Sequence, residues 1–324
     1  MKFSHSEELR QVSQGTDLPG QDRQLDILTD ETNGLRIIVS RLGAELVSVA
    51  RINEKGDWVG FLYRDNDITP PTKGWANHAT VMGYYLHRLK EGRSSYRGRE
   101  IEGGTHGFLR HKTWHLAECE TKNGGWLTYR MMPEDFSETE YPLQVSLDLT
   151  YTLEMGNVLV NFAFRSHEQD LTAHLGFGLH PGFAASSFDS FRLQMPRGLY
   201  RRYFLSGNYL SGETREIEFA GGEMPFSRSE LPGSVILELV DVPRRQFSFV
   251  DPPSGRWVTV DLPDTPYLTL WSDGGPFLCL EPCWGLTDHN EQRSFEQKEG
   301  IQTILPGREL LASFSMVPQF ASCD

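Results

Sequence analysis

The clearest pattern in the chain is a strict alternation of apolar and polar residues between positions 145 and 153. One face of this segment is wholly apolar and carries Val145, Leu147, Leu149, Tyr151 and Leu153. A turn at Gly156 leads into a second run of the same period, residues 158–164. Because successive side chains of a strand point to opposite faces, the two runs predict a β-hairpin with one buried face.

Short apolar runs of the same kind recur on both sides of this hairpin. They predict strands at residues 35–39, 45–50, 58–63, 114–120, 126–131, 191–193, 235–240, 247–250, 257–262, 267–271, 277–281 and 309–314. The 31 glycines and 18 prolines punctuate these runs with turns, and neither an amphipathic helix nor an internal repeat interrupts them. The pattern therefore predicts an all-β protein built as one large antiparallel β-sandwich or barrel, not a βαβ fold.

The ends of this domain follow from the same pattern. Residues 1–24 are polar and contain Gly15, Pro19 and Gly20, which predicts a flexible N-terminal arm. Residues 25–324 are then expected to form a single domain. Within it, residues 65–83 are rich in proline, glycine and asparagine and predict a long loop.

The composition narrows the range of binding partners and cellular locations to be expected. A net charge of -13 over 324 residues disfavours nucleic acid and anionic membrane surfaces as partners, but it leaves neutral metabolites open. No apolar run approaches the roughly 20 residues that cross a bilayer, and the first residues lack the apolar core of a signal peptide. The four cysteines show no paired spacing and are expected to be reduced thiols in a cytoplasmic protein.

The candidate chemistry begins with Glu281, an acid in the middle of the apolar run 277–284. A carboxylate among such neighbours loses hydration, which favours its neutral form and raises its pKa. Because Pro282 cannot donate a ladder hydrogen bond, Glu281 is expected near the end of its strand, where its side chain reaches a pocket. The alternative is an edge-strand glutamate that faces water or pairs with an arginine.

His180 is a candidate general acid, since it lies among apolar residues with two glycines ahead of it. Pro181 and Gly182 are expected to end its strand just beyond. The alternative is a core histidine bonded to a backbone carbonyl.

His106, between glycines in residues 103–107, is expected in a tight loop, and Arg88 offers a fork of donors to a hydroxyl-rich ligand. A metal site made of His106, His111 and His115 matches no strong zinc signature, so no metal is predicted.

Taken together, several short motifs resemble the aldose 1-epimerase (mutarotase) family. The resemblance runs from about Gly34 to Phe314 and rests on segments 34–46, 83–88, 106–114, 180–183, 280–285 and 300–309, which follow the family's order. Each motif is weak alone, whereas their shared order is strong evidence.

The resemblance implies a large antiparallel β-supersandwich with an open sugar cleft, and an enzyme that interconverts α and β anomers of an aldose without metal or organic cofactor. Glu281 would be the base that takes the proton from the C1 hydroxyl, and His180 the acid that protonates the ring oxygen. His106 and Arg88 would hold substrate oxygens. We expect an ionised Glu281 beside a protonated His180, each stabilising the charged form of the other.

The sequence also departs from the family's pattern. His87 stands where many members have asparagine, and Gly182-Phe183 replaces the usual residues after the histidine motif. The family's sugar-binding aspartate is not located, because the stretch from Tyr200 to Glu213 is too different.

Two alternatives to a free-hexose epimerase stay open. One is a hexose-6-phosphate 1-epimerase, for which Arg110, Lys112 or Arg93 would contact the phosphate. The other is a non-catalytic sugar-binding or sensing protein on the same fold. A glycoside hydrolase is disfavoured, since it normally needs two carboxylates and only Glu281 is a candidate.

Overall fold

The structure is a computed structural model that describes residues 1–12, 22–291 and 293–321. In the first half of these ranges the strands are β1 (Phe3–Arg10), β2 (Arg23–Asp30), β3 (Leu35–Ser40), β4 (Glu45–Ile52), β5 (Trp58–Gly60), β6 (Ala79–Tyr84), β7 (Arg93–Tyr96), β8 (Arg99–Glu102), β9 (His115–Glu120), β10 (Gly125–Met131), β11 (Val145–Glu154) and β12 (Asn157–Ser166). In the second half they are β13 (Ala173–Ala184), β14 (Arg192–Met195), β15 (Gly198–Ser206), β16 (Tyr209–Phe219), β17 (Gly222–Glu223), β18 (Val235–Asp241), β19 (Gln246–Asp251), β20 (Arg256–Asp261), β21 (Tyr267–Trp271), β22 (Phe277–Trp284), β23 (Gln302–Ile304) and β24 (Glu309–Phe320).

The helices of the described ranges are short 3₁₀ turns at Lys90–Gly92, Leu109–His111, Pro133–Asp135, Arg228–Gly233, Pro252–Ser254 and Phe295–Gln297. None of them has the length and apolar character that a membrane-spanning helix requires. The predicted all-β class is confirmed.

Antiparallel pairing organises the strands into two large sheets and two smaller ones. The larger sheet has the order β17-β14-β19-β20-β24-β12-β11-β10-β9, and the second has the order β16-β15-β18-β21-β22-β13-β23, with β6 also paired to β13. Strands β1 to β5 form a five-stranded sheet, and β7 pairs with β8. The predicted hairpin is confirmed as β11 and β12, in which Leu147 pairs with Phe164 and the apolar face is buried.

Aromatic side chains join the two large sheets into a sandwich. Phe162 and Phe164 of β12 lie 5.2 and 4.5 Å, between ring centroids, from Phe177 of β13. Phe177 in turn stacks on Trp284 of β22 at 5.0 Å. These large rings interdigitate between the inner faces, so they fix β13 and β22 in the middle of the second sheet.

The predicted flexible arm over residues 1–24 is wrong where the structure describes it. Residues 3–10 form strand β1, which pairs along its length with β2, from Phe3 opposite Asp30 to Arg10 opposite Arg23. Arg10 also donates hydrogen bonds to the backbone oxygen and Oδ1 of Asn66 at 2.8 Å. A polar edge strand needs no apolar alternation, because backbone hydrogen bonds hold it while much of it faces water. Gly15, Pro19 and Gly20 lie outside the described residues.

Several other parts of the second sheet were not predicted, including the short strand β23. Strand β6 lies at the end of the predicted 65–83 loop, and β15 and β16 form a hairpin in which residues 211–216 are exposed. In β16, exposure on both faces removes the apolar alternation by which strands are found in sequence, whereas β6 is buried on both faces and lacks alternation for that reason.

Candidate active site

His180 and Glu281 lie on neighbouring central strands, β13 and β22. Gly178 pairs with Cys283 and Gly182 pairs with Cys279, and the same register places His180 opposite Glu281. Both residues lie inside their strands, which continue to Ala184 and Trp284, so the predicted strand ends are wrong. The prolines that follow each residue lack an N–H donor and remove ladder hydrogen bonds locally without ending either strand.

The two side chains meet in the interior. His180 Nε2 lies 3.3 Å from Glu281 Oε1, and the two residues are only 6% and 1% exposed. Glu281 Oε2 and His180 Nδ1 are buried and have no hydrogen-bond partner among the described residues. A buried polar atom without a partner is costly, so these atoms mark a place where a ligand is expected to bond.

A cavity of about 390 Å³ opens above this pair. It is lined by Trp75, Asn77, Thr80, His87, Arg88, Thr105, His106, Arg110, His180, Leu205, Gly207, Asn208, Pro232, Gly233, Ser234, Ile236, Trp271, Glu281 and Thr287. All four residues predicted for the site, namely Arg88, His106, His180 and Glu281, are in this set. A volume at the lower end of the range for ligand sites suits one small polar molecule.

His106 reaches the pair from a loop that is tied to β6. Its ring centroid lies 5.2 Å from that of His180 and 5.4 Å from that of His87. Its backbone N–H donates to the His87 carbonyl at 2.7 Å, and its carbonyl accepts from the N–H of Gly83 at 3.1 Å. His106 itself has a φ of 65°, which is uncommon for a non-glycine residue and typical of functional sites.

Gly107 makes this loop geometry accessible, and its replacement by alanine is expected to disturb the site. Its φ is 74°, and a Cβ there would overlap the carbonyl of Gly83. We expect Gly107→Ala to lower the free energy of unfolding by at least about 2 kcal/mol, measured by urea unfolding. Gly104→Ala is the matched control, because a Cβ at Gly104 meets nothing within 4 Å, and a change within about 0.5 kcal/mol is expected. Equal losses in the two variants would contradict this account of the loop.

Two tryptophans that no sequence motif predicted form the apolar wall of the cavity. Trp75 stacks on the imidazole of His180 with ring centroids 4.9 Å apart, and Trp271 meets the same ring edge-on at 5.6 Å. The backbone N–H of Trp75 donates to Asp273 Oδ2 at 2.9 Å, and Gly182 leaves the space that the indole occupies. A tryptophan in a proline-rich loop was the available signal, but its position depends on contacts distant in sequence.

The positive charges of the site come from Arg88 and Arg110. Neither has a carboxylate partner within 4 Å in the parts of the chain that the structure describes. The carbonyl of Arg88 accepts hydrogen bonds from the Asp288 N–H at 3.1 Å and the Thr287 hydroxyl at 3.3 Å, which fixes this segment. Arg93 and Lys112 pair with Glu102 and Glu140 and do not line the cavity.

The stretch from Tyr200 to Glu213 gives the cavity no acid. It contributes Leu205, Gly207 and Asn208 instead. His111 and His115 do not line the cavity with His106, and His115 is largely exposed near Asp135. Within the described ranges, the three histidines therefore do not converge on one point.

Burial decides which group of the His180–Glu281 pair carries the proton. The outcome differs from the one expected from the sequence. Desolvation raises the pKa of Glu281 well above its usual range. Desolvation, with His87 as a smaller cause, lowers the pKa of His180 to about 3. Both shifts favour a protonated carboxyl group beside a neutral imidazole, whereas a carboxylate beside an imidazolium was expected. Loss of hydration outweighs the mutual attraction of the two charges here.

The raised pKa of Glu281 predicts how stability depends on pH. The folded protein holds this proton more tightly than the unfolded chain, whose carboxyl titrates near 4.5. The contribution of Glu281 to the free energy of unfolding is complete below that value and is lost as pH rises through the folded-state value. We expect Glu281→Gln to remove this loss, so the stability of the variant relative to wild type should grow as pH rises. A difference that stays constant across a pH series of urea unfolding curves would contradict the raised pKa.

The packed antiparallel sheets have the galactose mutarotase-like β-sandwich fold. The model of the aldose 1-epimerase family matches residues 26–283, and the chain belongs to that family. The plasmid-borne protein LacX of Lactococcus lactis subsp. lactis is 24% identical over 254 residues, covering 72% of this chain and 82% of LacX.

Two solved structures share the fold. The galactose mutarotase related enzyme of Lactobacillus acidophilus has a TM-score of 0.78 and 24% identity, with 91% of this chain and 97% of that chain covered. A galactose mutarotase-like protein of Lactobacillus casei has the same TM-score and 21% identity, with 90% and 100% covered. The resemblance inferred from the sequence motifs is confirmed.

Proposed function

We propose that this protein is an aldose 1-epimerase that interconverts the α and β anomers of a hexose or related aldose by general acid–base ring opening. The observation that supports it is the pair of His180 and Glu281, whose nearest atoms lie 3.3 Å apart beneath a cavity that suits a monosaccharide. Family membership supports the same class of reaction. The net charge of -13 and the expected cytoplasmic location fit a sugar substrate better than a nucleic acid or a membrane surface.

The reaction needs two proton transfers at one carbon. The C1 hydroxyl must lose a proton and the ring oxygen must gain one, so that the C1–O5 bond breaks and an open-chain aldehyde forms. Both oxygens are attached to C1, and two groups about 3 Å apart reach both at once. After rotation about C1–C2 the ring closes on the other face, with the two protein groups exchanging roles.

A pair that holds one proton can drive both directions. With the proton on His180, Glu281 removes the hydroxyl proton while His180 protonates the ring oxygen. That step leaves the proton on Glu281, which is the state that burial favours. In ring closure Glu281 gives its proton to the carbonyl oxygen, and His180 takes a proton back from the O5 hydroxyl. Both groups then return to their starting states. The pair neither gains nor loses a proton over a full cycle, so no external acid or base is needed.

The other residues of the cavity would orient the sugar. Burial lowers the pKa of His106 well below its usual range, so its neutral ring offers one donor and one acceptor to hydroxyl groups. Arg88 supplies guanidinium donors from the segment that neighbours the His106 loop, and Trp75 offers an apolar ring face. Because both anomers must bind, these contacts are expected to engage sugar atoms other than the C1 hydroxyl.

Polarimetry of freshly dissolved anomers, over a panel of aldoses, tests the proposal. We expect the approach to equilibrium to accelerate in proportion to enzyme concentration for at least one aldose. A protein that binds these sugars, shown by calorimetry, but leaves every rate unchanged would instead support the non-catalytic sugar-binding or sensing alternative.

A second candidate, a hexose-6-phosphate 1-epimerase, is favoured by Arg110. Its guanidinium lines the cavity without a carboxylate partner in the described ranges, and unpaired guanidinium groups bind phosphate well. Of Arg93, Arg110 and Lys112, the three cations considered for phosphate contact, Arg110 is the one that lines the cavity. The choice between a free hexose and a hexose 6-phosphate therefore depends on whether Arg110 contacts a phosphate group of the substrate.

Arg110→Gln separates the two substrates. If a 6-phosphate is bound, we expect its KM to rise roughly 10- to 100-fold, which corresponds to one charge-assisted contact, with little change for the unphosphorylated sugar. Arg93→Gln is the matched control, since Arg93 pairs with Glu102 away from the cavity. Equal effects of Arg110→Gln on both sugars would count against the phosphorylated substrate.

A further inference from the structure

Three potential metal ligands of different types converge at one end of the acid–base pair. A ring nitrogen of His87, a carboxylate oxygen of Glu281 and the Cys283 sulfur all lie within 4.8 Å of one another. The sulfur and His87 Nε2 are 3.9 Å apart. Glu281 and Cys283 are two residues apart on β22, so their side chains leave the same face of the strand. The proposed reaction uses neither the imidazole of His87 nor the thiol of Cys283.

The spacing is close to that of a tetrahedral zinc site. Zinc lies about 2.3 Å from sulfur and about 2.0 Å from nitrogen, which places the two ligand atoms about 3.5 Å apart. The observed 3.9 Å therefore needs only a small side-chain adjustment. Thiolate, imidazole and carboxylate together favour a borderline-soft ion such as Zn²⁺ over Mg²⁺ or Ca²⁺.

The atoms around these three side chains are also compatible with a bound ion. Glu281 is 1% exposed, and its Oε2 has no hydrogen-bond partner among the described residues, so a ligand oxygen is available. The hydroxyl of Thr269 lies 3.9 Å from the Cys283 sulfur and can support a thiolate. His87 and Glu281 also line the cavity, which leaves a fourth coordination position open to solvent or to an oxygen ligand.

We infer that His87, Glu281 and Cys283 form a binding site for a thiophilic divalent cation, and that an ion bound there occupies Glu281 and blocks anomer exchange. Binding forms metal–sulfur, metal–nitrogen and metal–oxygen bonds. The thiol proton and the carboxyl proton leave to solvent, and no electron is transferred. The site would make the protein sensitive to free zinc.

Titration of the full-length, metal-free protein with Co²⁺ alone tests the binding. A thiolate ligand gives an intense sulfur-to-cobalt charge-transfer band in the near ultraviolet, and we expect that band to saturate at one ion per chain. Zn²⁺ should then remove it, because zinc binds such ligands more tightly than cobalt. Absence of the band at saturating Co²⁺ would overturn the inference.

Variants identify the ligands. Cys283→Ser should abolish the band, and His87→Gln should weaken cobalt binding by at least roughly the 10- to 100-fold that loss of an outer-shell partner costs. Cys279→Ser is the matched control, because Cys279 is also buried on β22 but lies outside the cluster, and its band should remain. A band that survives in Cys283→Ser and disappears in a Cys119→Ser, Cys323→Ser double variant would show adventitious binding elsewhere.

The second cluster that the structure contains cannot produce the same signal. His5, Glu7 and Asp26 also lie within 4.8 Å of one another, but the group has no sulfur. Arg41 already pairs with both Glu7 and Asp26 at 2.8 Å. A charge-transfer band therefore cannot come from this second cluster.

The blocking effect rests on the proposed function and is tested separately. We expect Zn²⁺ to lower the anomer exchange rate of the wild type, and a chelator to restore it, whereas zinc should not lower the rate that Cys283→Ser retains. Equal zinc inhibition of wild type and Cys283→Ser would overturn the blocking claim. If the wild type shows no exchange at all, the proposed function fails, but the cobalt titration still decides whether the site exists.

Discussion

Glu281→Gln is expected to slow anomer exchange by roughly 10²- to 10⁴-fold, the usual contribution of one positioned acid or base. Glutamine keeps the shape of the side chain and its hydrogen-bonding capacity, but it cannot carry the proton that the pair transfers. Sugar affinity should change little, since His106, Arg88 and Trp75 would supply the orienting contacts. Exchange rates from NMR line shapes and affinities from calorimetry measure the two effects on the same sample, with a chelator present.

The matched control is Glu218→Gln, which makes the same chemical change at an exposed position of β16 away from the cavity. It should retain the wild-type exchange rate. If Glu281→Gln also retains that rate while the protein stays folded, Glu281 is not the group that moves the proton.

His180→Gln is expected to slow exchange to a similar extent as Glu281→Gln, because the remaining carboxyl group has no partner to complete the second proton transfer.

For the wild type, the exchange rate should stay level across the pH range in which the pair holds one proton. It should fall at acid pH near the lowered His180 value of about 3, where a second proton binds. It should fall again at higher pH, where the raised pKa of Glu281 is reached and the proton is lost.

His115→Gln is the control for His180→Gln, since His115 is exposed and lies outside the cavity. It should leave the rate and its pH dependence unchanged. A wild-type rate whose acid-side loss occurs near the ordinary histidine pKa of 6.5, and not near 3, would contradict the assignment of a neutral, buried His180.

The sequence predicted the central strands well, because their buried faces carry an uninterrupted apolar alternation, as in the Leu147 and Leu149 strand. It missed β1 and β16, whose polar side chains face water and whose pairing depends only on backbone hydrogen bonds. It also placed the ends of β13 and β22 too early. A proline removes one ladder bond, but the flanking strands β6 and β21 pair with these strands and hold them in the sheet.

The polar residues of the site were easier to predict from the sequence than their arrangement in space. Four polar residues were proposed from local motifs, and the structure places all of them around one cavity. Trp75, Trp271 and Asn208 were not proposed, since nothing in their own segments shows that the fold brings them to His180. The protonation of the pair was also mistaken, because the depth of burial that decides it is a property of the packed sheets.

The central claim is that His180 and Glu281 pass protons to and from one bound sugar. Two-dimensional exchange NMR of the wild-type protein with an excess of aldose tests it most directly, because it detects conversion between anomers at equilibrium. The account predicts enzyme-dependent cross-peaks between the α and β C1 protons, which disappear in Glu281→Gln and in His180→Gln. Cross-peaks of undiminished intensity in both variants, or a sugar-saturated wild type without any, would contradict it.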